Sequence, residues 1–556
     1  MQKLSLPKNL SFILFVGFLI IYLLPGIYGH TPWKQDENYS FGIIQTMFET
    51  GNWLVPTNAG EPFMEKPPLY YWVATITSHL LSGFMPLYDA ARSASLLFMV
   101  VNFSFFILLA RRAFNTCDFN DKRIWIAFAL YVCAPGILRH SHDMFTDVAL
   151  ITGATIGLYG IQGLIRQEKI IMSALWLMIG TVITMLSKGL FVPGVLWLSL
   201  LLAPIFLPQC RQKMFWLPAI IAGLVALLLI LPWPILLYRQ HPDLFITWIW
   251  ENNIGRFLGF SVEKLGAKAN LTRIPSAVAF FALPSGILAV LYFFRNPLKR
   301  LHNPNIYLVT MFPLLGILLL QISASGRALY LLPFIASLAI LGTHTLLRLP
   351  EKILRIFSHF SAMLWSLLII FLWACYFVAL TDKASTWLAP FGRWLPMSYQ
   401  MSFSIWGFIG ALLLTTVWFS RSLFVSPQIA LRAIQNWALG MCIMWGVILS
   451  LFVGWIDYSK GFETVFVDLN QQLKGNYKAD DCMASDNIGE SEAPMLYYYT
   501  KILHQRQDRF EKPEQCRWLI VLSKQINPPP SGMTLFWTNH RPDEFTENLV
   551  VYKAIE

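Results

Sequence analysis

Asp36-Glu37 and the block Glu65-Lys66-Pro67-Pro68-Leu69-Tyr70-Tyr71-Trp72 place three carboxylates and a lysine in a chain that is otherwise mostly apolar. A charge near the centre of a bilayer costs roughly 2.5–3.5 kcal/mol even on a lenient scale. A cluster of both signs beside the membrane therefore needs a reason. Carboxylates so placed can take or orient a proton. Two prolines fix the backbone after Lys66, and a lysine held in place is a compact point charge suited to phosphate. Simpler readings exist for each part: Asp36-Glu37 would suit the positive N-terminal end of a helix, and an interfacial lysine commonly snorkels. Neither calls for the two blocks together, preceded by Trp33-Lys34. The combination reads as a catalytic site on the outer membrane face, with Asp36 and Glu37 as its acids and Glu65 and Tyr70 beside them.

More polar residues fall at the same level of the chain. His140-Ser141-His142-Asp143 and Asp147 occupy a turn between two hydrophobic runs, where Asp143 is a further candidate catalytic carboxylate. His140, His142 and Asp143 are also metal-ligand types, but one short turn rarely encloses a metal unaided. Cations follow at Ser187-Lys188-Gly189, at Arg256, and at Arg327, which is followed by Tyr330. Singly these are ordinary helix-end anchors. As a ring facing the loop carboxylates, Lys66, Lys188, Arg256 and Arg327, with Tyr330, are what a lipid-linked phosphate would need.

The elements that position these groups are membrane helices. Of 556 residues, 56% are hydrophobic, 15% aromatic and 13% charged, which marks a polytopic membrane protein of mainly α class. The net charge of +11 does not indicate nucleic-acid binding, because the basic residues are spread over short loops and form no single face. Hydrophobic runs predict about thirteen spans, centred in 10–28, 90–110, 124–138, 145–165, 171–187, 190–207, 216–238, 274–294, 305–322, 328–347, 356–380, 402–420 and 433–455. The first reads as a retained signal anchor. With the N-terminus inside, every inner loop carries a basic residue, among them Lys3, Arg111, Arg123, Arg166, Lys299, Arg300 and Arg348, whereas Asp36, Glu37, Glu65, Asp143 and Glu251 collect outside. Residues 1–455 then form the membrane domain and 456–556 a soluble outside domain. The strand candidates of that second domain are Arg517–Leu522 and Leu549–Tyr552, its helix candidate is Glu492–Ile502, and together they suggest a small α/β unit. Cys482 and Cys516 both fall there, where a disulfide is permitted. In the first outer loop, 29–85, Phe41, Ile44, Met47 and Phe48 predict an amphipathic helix lying on the membrane. Leu69–Leu81 predicts a second, with proline at its start.

The order Asp-Glu, Gly-Asn-Trp-Leu-Val-Pro (51–56) and Glu-Lys-Pro-Pro-Leu-Tyr-Tyr-Trp (65–72) resembles the lipid A aminoarabinose transferase (ArnT) group of polyprenyl-phosphate glycosyltransferases, which share the GT-C fold with protein mannosyltransferases. The resemblance continues through Ala91-Arg92-Ser93, Arg111-Arg112, Asp143-Met144, Ser187-Lys188-Gly189, Arg256-Phe257 and Tyr330–Pro333. It implies a GT-C membrane body with two juxtamembrane helices in the first periplasmic loop. It implies Asp36 at the active site, with phosphate contacts from Lys66 and Arg256. It further implies an inverting transfer of 4-amino-4-deoxy-L-arabinose, or a related amino sugar, from undecaprenyl phosphate to lipid A at the periplasmic face of a bacterial inner membrane. The implied partners are the undecaprenyl-phosphate sugar, lipid A or another periplasmic acceptor, and membrane lipids, with no nucleic acid. No motif requires a cofactor, and a divalent metal stays open. The chain departs from the group at Asn38-Tyr39-Ser40, where a basic residue and tyrosine are usual. It departs again at Asn252-Asn253, where some relatives carry a histidine, and in the spacing of Arg327 from Tyr330. A transferase acting on protein or another glycan is the alternative within the same chemistry. A lipid transporter is the alternative outside it, but that would use midplane charges and two matching halves.

Overall fold

Nearly every hydrophobic run becomes a helix. The structure is a computed structural model and describes all residues except 1–7, 34–35, 262–270, 296–299, 382, 393–394, 507–515, 545 and 556; Lys3, Lys34 and Lys299 thus lie outside the described residues. The first third of the chain folds into α1 (Lys8–Leu23), α2 (Asp36–Thr50), α3 (Leu69–Leu81), α4 (Leu87–Ala113), α5 (Lys122–Val132), α6 (Pro135–His140), α7 (Thr146–Ile165) and α8 (Ile170–Lys188). Among the described residues, seven helices are long and apolar enough to cross a membrane: Leu87–Ala113, Thr146–Ile165, Ile170–Lys188, Lys213–Gln240, Ala328–Leu346, Glu351–Ala379 and Ile429–Lys460. Arg273–Phe281 and Ser285–Phe294 make an eighth if the pair, bent by 112°, is one span. The chain is thus a multi-pass membrane protein. The other expected spans are helical but shorter, and so fall below the ~20 residues that a straight crossing needs. Proline contributes to this: α5 stops at Val132 because Pro135 opens a new helix.

Small residues let α7 and α8 pack closely. Gly153, Gly157, Gly160 and Gly163 line the side of α7 against α8, and a Cβ on Gly160 would lie 2.4 Å from the backbone nitrogen of Leu177. This is the close approach that small residues allow in membranes. It sets the first turn of α7 beside the last turn of α8.

After the long helix Ile429–Lys460, the chain forms a helix at Glu463–Leu473, another at Glu492–Thr500, and a five-stranded sheet. The sheet order is β4-β3-β5-β7-β6, with β3 (Met483–Asp486) parallel to β4 (His504–Arg506) and to β5 (Trp518–Ser523), and β7 (Asn548–Ala554) antiparallel to β5 and to β6 (Met533–Asn539). Parallel pairing of β3 and β5 brings Cys482 and Cys516 into a disulfide, with Cα atoms 4.9 Å apart.

α3 spans the expected residues, Leu69–Leu81. α2 forms where expected but does not lie open on the membrane. Phe41, Ile44 and Met47 are fully buried, as are Glu37, Asn38 and Gln45 on other faces. The reason is the C-terminal part, which packs over α2. Pro494 sits so close to Gly42 that a Cβ there would lie 2.4 Å from it, and Tyr498 packs edge-on against Phe41 at 5.0 Å. Lys501 Nζ to Glu49 at 2.9 Å and Arg506 to Glu61 at 3.4 Å fasten the first outer loop to the C-terminal part, and Lys460 to Asp543 at 2.6 Å ties that part to the end of the helix Ile429–Lys460.

Candidate active site

The first outer loop is built to bring Lys66 back to the start of α2. β1 (Thr57–Asn58) and β2 (Glu61–Pro62) form a two-stranded hairpin whose turn residues Ala59 and Gly60 adopt φ of 49° and 89°. Gly60 takes that conformation at no steric cost. The returning chain delivers Phe63, which stacks on Tyr39 at 4.9 Å, and then Glu65-Lys66. Tyr39 lies three residues after Asp36, on the same helix face, and its hydroxyl donates to Asp36 Oδ1 at 2.7 Å. Lys66 Nζ donates to that hydroxyl and lies 4.7 Å from the ring centroid. Asp36, Tyr39 and Lys66 thus form one chain of contacts, with Lys66 only 9% exposed.

Arg256 enters from the far side. Residues Thr247–Gly255 form wide π-type turns that end at Gly259, with φ of 103°. Arg256 Nη2 pairs with Glu65 Oε1. The preceding Asn252 and Asn253 donate to the carbonyls of Thr247 and Trp248 at 3.2 and 2.9 Å. Asn253 Oδ1 also accepts from Leu190 N at 3.2 Å, which ties this segment to the end of α8. There Lys188 Nζ donates to Asp147 Oδ2 at 2.6 Å and lies 4.7 Å from the centroid of the Tyr330 ring. The glycine contact of α7 with α8 makes that meeting possible. Arg327 is exposed and close enough to Glu65 to help hold its charge.

Glu37 plays a different part from its neighbour. It is 5% exposed. Its Oε1 accepts from Arg92 Nε at 3.0 Å and from Met144 N at 2.9 Å, and its Oε2 accepts from Trp33 N at 3.0 Å. Arg92, fully buried, also pairs with Asp89 at 2.8 Å. Glu37 is therefore engaged in joining α2, α4 and the Asp143-Met144 turn. Asp143 itself pairs with His140 Nδ1 at 2.6 Å and is a third exposed. Tyr70 does not reach the Asp36 cluster: it is fully buried and its hydroxyl lies 2.7 Å from Ser95 Oγ. Tyr71 is the tyrosine of that block close to Asp36 and Glu65, and burial together with their charge raises its hydroxyl well above the usual value.

One carboxylate was absent from the sequence-based set. Glu490 follows Asn487-Ile488-Gly489 after β3 and lies within electrostatic reach of Glu65, Lys66, Asp36 and Arg256. Its only sequence signal is the Asn-Ile-Gly turn, in which Asn487 has φ of 57°. Its neighbour's packing explains its place, because Asn58 of the hairpin donates to the Glu490 carbonyl at 2.9 Å. Burial and then Glu65 push the Glu490 carboxyl up. Asp36 goes the other way: burial pushes it up, but Lys66, the Tyr39 hydroxyl, Lys188 and His140 outweigh burial and hold it below the usual carboxylate value. Glu65 is likewise held low, by Lys66, Arg256 and Arg327 against burial. The site thus contains ionised Asp36 and Glu65 next to a carboxyl that gains protons more readily, inside a frame of four cations.

The residues considered as metal ligands do not converge. Both ring nitrogens of His142 meet backbone carbonyls, Leu138 O at 3.1 Å and Tyr22 O at 2.7 Å. Asn252 and Asn253 turn their amide nitrogens onto the carbonyls of Thr247 and Trp248. Among the described residues no group of three His, Cys, Asp or Glu side chains is arranged to hold a metal ion.

No family model matches the chain. It is 24% identical over 338 residues to a Pseudomonas savastanoi pv. phaseolicola protein named undecaprenyl phosphate-alpha-4-amino-4-deoxy-L-arabinose arabinosyl transferase, a match covering 59% of this chain and 60% of that protein. It is 23% identical over 425 residues to a Proteus mirabilis protein carrying that name with the number 2, covering 72% and 71%. The chain spans between 58% and 60% of the length of three such Pseudomonas relatives. Among solved structures, ArnT from Cupriavidus metallidurans bound to undecaprenyl phosphate superimposes with a TM-score of 0.70 over 98% of both chains, at 16% identity; its apo state gives 0.69 at 15% identity, again over 98% of both chains. In fold, this chain is a polytopic membrane protein of the GT-C type built like ArnT.

Proposed function

We propose that this protein is an inverting glycosyltransferase that moves an amino sugar, 4-amino-4-deoxy-L-arabinose or a close relative, from undecaprenyl phosphate to a lipid A phosphate. The reaction takes place at the periplasmic face of a bacterial inner membrane. The observation that carries this reading is the joint placement of Asp36, Tyr39 and Lys66 with the Glu65–Arg256 pair at one end of the helix body. The likeness to the aminoarabinose transferases supports the choice of sugar and carrier.

In the reaction, an acceptor oxygen attacks the anomeric carbon from the face opposite the carrier phosphate. The bond from that carbon to the phosphate oxygen breaks, and its electron pair leaves with undecaprenyl phosphate. Lys66 and Arg256 stabilise the growing negative charge, with Arg327, Lys188 and Tyr330 around it. Asp36 is held below the usual carboxylate value and is therefore a weak base at neutral pH. That suits an acceptor phosphate, which is ionised already and needs no proton removed. Asp36 and Glu490 then orient the sugar through its ammonium group, and Asp143 stands at the edge of the same space. Glu37 is a positioning residue that acts through Arg92 and Met144. Residues 1–455 form the catalytic membrane domain and residues 456–556 a periplasmic domain that contributes Glu490.

Mass spectrometry of lipid A from cells with and without this protein tests the proposal. A mass increment of one amino sugar per modified phosphate is expected only when the protein is present. Unmodified lipid A in both cases, or a sugar appearing on protein or another glycan, would redirect the assignment to a different acceptor.

A further inference from the structure

The basic residues at the other end of the helix body do not all behave as loop anchors. α4 starts near the site at Arg92 and runs 27 residues, about 40 Å at 1.5 Å per residue. The helix Leu332–Leu346 starts beside Tyr330 and runs the same way. Their far ends meet in a ladder of rings and cations drawn from five segments. Arg123 lies 5.4 Å from the centroid of the Phe114 ring, Phe114 packs edge-on to His344 at 5.5 Å, His344 lies against Tyr292 at 5.4 Å, and Arg300 lies 4.1 Å from the Tyr292 centroid. Arg348 follows His344 by one turn, with its backbone nitrogen bonded to Thr345 O.

The pairing of these cations is uneven. Arg123 has Asp121 at 2.5 Å, and Arg166 has Glu168 at 2.6 Å. Among the described residues, Arg300 and Arg348 have no carboxylate within 4 Å. Two nitrogens on the ladder, Arg300 Nη1 and His344 Nε2, are buried and have no hydrogen-bond partner. A snorkelling arginine keeps its nitrogens in water, whereas a buried guanidinium N–H without an acceptor is costly. An acceptor from outside the chain would remove that cost. Just before this point the helix Ser285–Phe294 presents an apolar face outward: Ile287, Val290 and Leu291 are 40–46% exposed and Phe294 is 79% exposed. Cations at a helix end above a bare apolar stripe match the two halves of a phospholipid, and basic pockets between membrane helices bind anionic headgroups in this way.

We propose that Arg300, Arg348 and His344 form a binding site for the phosphate of an anionic phospholipid, with its acyl chains along Ile287–Phe294. The site lies at the end of the body remote from Asp36 and is separate from the donor and acceptor.

The test is native mass spectrometry of the purified full-length protein in detergent with dioctanoyl phosphatidylglycerol, dioctanoyl phosphatidylcholine or glycerol 3-phosphate. One phosphatidylglycerol should be retained at least ~5-fold more tightly than phosphatidylcholine. The Arg300→Gln/Arg348→Gln variant should lose ~25-fold, at ~5-fold per cation. Arg355→Gln, which removes a surface pair with Glu351, should bind as wild type does. Should the double variant fail to yield monodisperse protein, the wild-type headgroup comparison and the single Arg348→Gln variant, at an exposed position, decide. Equal retention of the zwitterionic lipid, or unchanged binding by the arginine variants, would overturn the site. Glycerol 3-phosphate bound as tightly as the lipid would overturn the lipid and leave a site for free phosphate esters.

Discussion

Replacing Lys66 with alanine should damage this site in two separable ways. Lys66 is buried, its ammonium touches the Tyr39 hydroxyl, and it is the leading charge that holds both Asp36 and Glu65 low. The first effect is the lost contact to the leaving phosphate. A charge-assisted hydrogen bond made stronger in the transition state is worth about 2–4 kcal/mol, so kcat/KM should fall roughly 30- to 1000-fold. The second effect is on titration. In the wild type, burial alone would raise Asp36, and the surrounding cations reverse it. Without Lys66 the burial effect gains, so the Asp36 carboxyl moves up and the acidic limb of the pH–rate profile moves to higher pH. The linkage to stability has the matching sign. A carboxyl depressed in the folded state contributes stability above its unfolded value, and that stability is lost as pH falls through the folded value. As pH rises through the acid range up to the unfolded carboxylate value of ~4, the variant should therefore gain less stability than the wild type. The assay is transfer from a polyprenyl-phosphate amino sugar to lipid A across a pH series, with thermal unfolding recorded on the same samples. A Lys66→Ala protein with near-normal kcat/KM and an unshifted acidic limb would refute both the phosphate contact and the electrostatic coupling.

Arg256→Ala should also lower kcat/KM by about 30- to 1000-fold while membrane insertion persists, and wild-type rates in membranes supplied with donor would remove it from the phosphate site. Asp36→Asn should cost activity through positioning and flatten the acidic limb; a loss of about 100- to 10,000-fold that grows with pH as the wild-type carboxylate ionises, and that weaker bases do not recover, would instead mark Asp36 as the general base. Breaking the buried Asp147–Lys188 pair with Lys188→Met leaves Asp147 unpaired at 0% exposure and should destabilise the protein by about 3–5 kcal/mol, read as a lowered unfolding temperature that Asp147→Leu in the same chain partly restores. Alkylation of denatured protein with and without reductant should reveal two reductant-dependent thiols at Cys482 and Cys516, and a reporter fused after Glu556 should be active outside the cytoplasm.

The pieces of this site were legible to different depths. Asp36, Glu65, Lys66 and Arg256 were visible because charges are costly in a chain this apolar, so each survivor outside the basic loops points to a purpose. Leu69–Leu81 was readable from its prolines and its periodicity, and β5 and β7 from their β-branched runs. Tyr70 and Tyr71 could not be separated, because adjacent residues on a helix differ by about 100° in direction; both are buried, and only the contact of Tyr70 with Ser95 shows that Tyr71 is the one beside Asp36. Glu490 was hidden for another reason: it lies more than four hundred residues beyond Asp36 and is delivered by the packing of the C-terminal part on α2. That same packing buries the apolar face of α2, which local periodicity had assigned to the membrane. Glu37 next to Asp36 looked like a second acid, and only the buried Arg92 from α4 shows that it is already occupied. The span count was coarse because hydropathy measures apolarity, whereas prolines decide whether an apolar run is one straight helix.

The most direct measurement is transfer by the purified protein, reconstituted with undecaprenyl-phosphate 4-amino-4-deoxy-L-arabinose and lipid A as the only substrates. Release of undecaprenyl phosphate in step with the appearance of sugar-modified lipid A is expected, abolished or cut strongly in Lys66→Ala and Arg256→Ala. Intact donor after prolonged incubation with folded protein, or equal turnover by those two variants, would contradict a lipid-phosphate glycosyl transfer at this site.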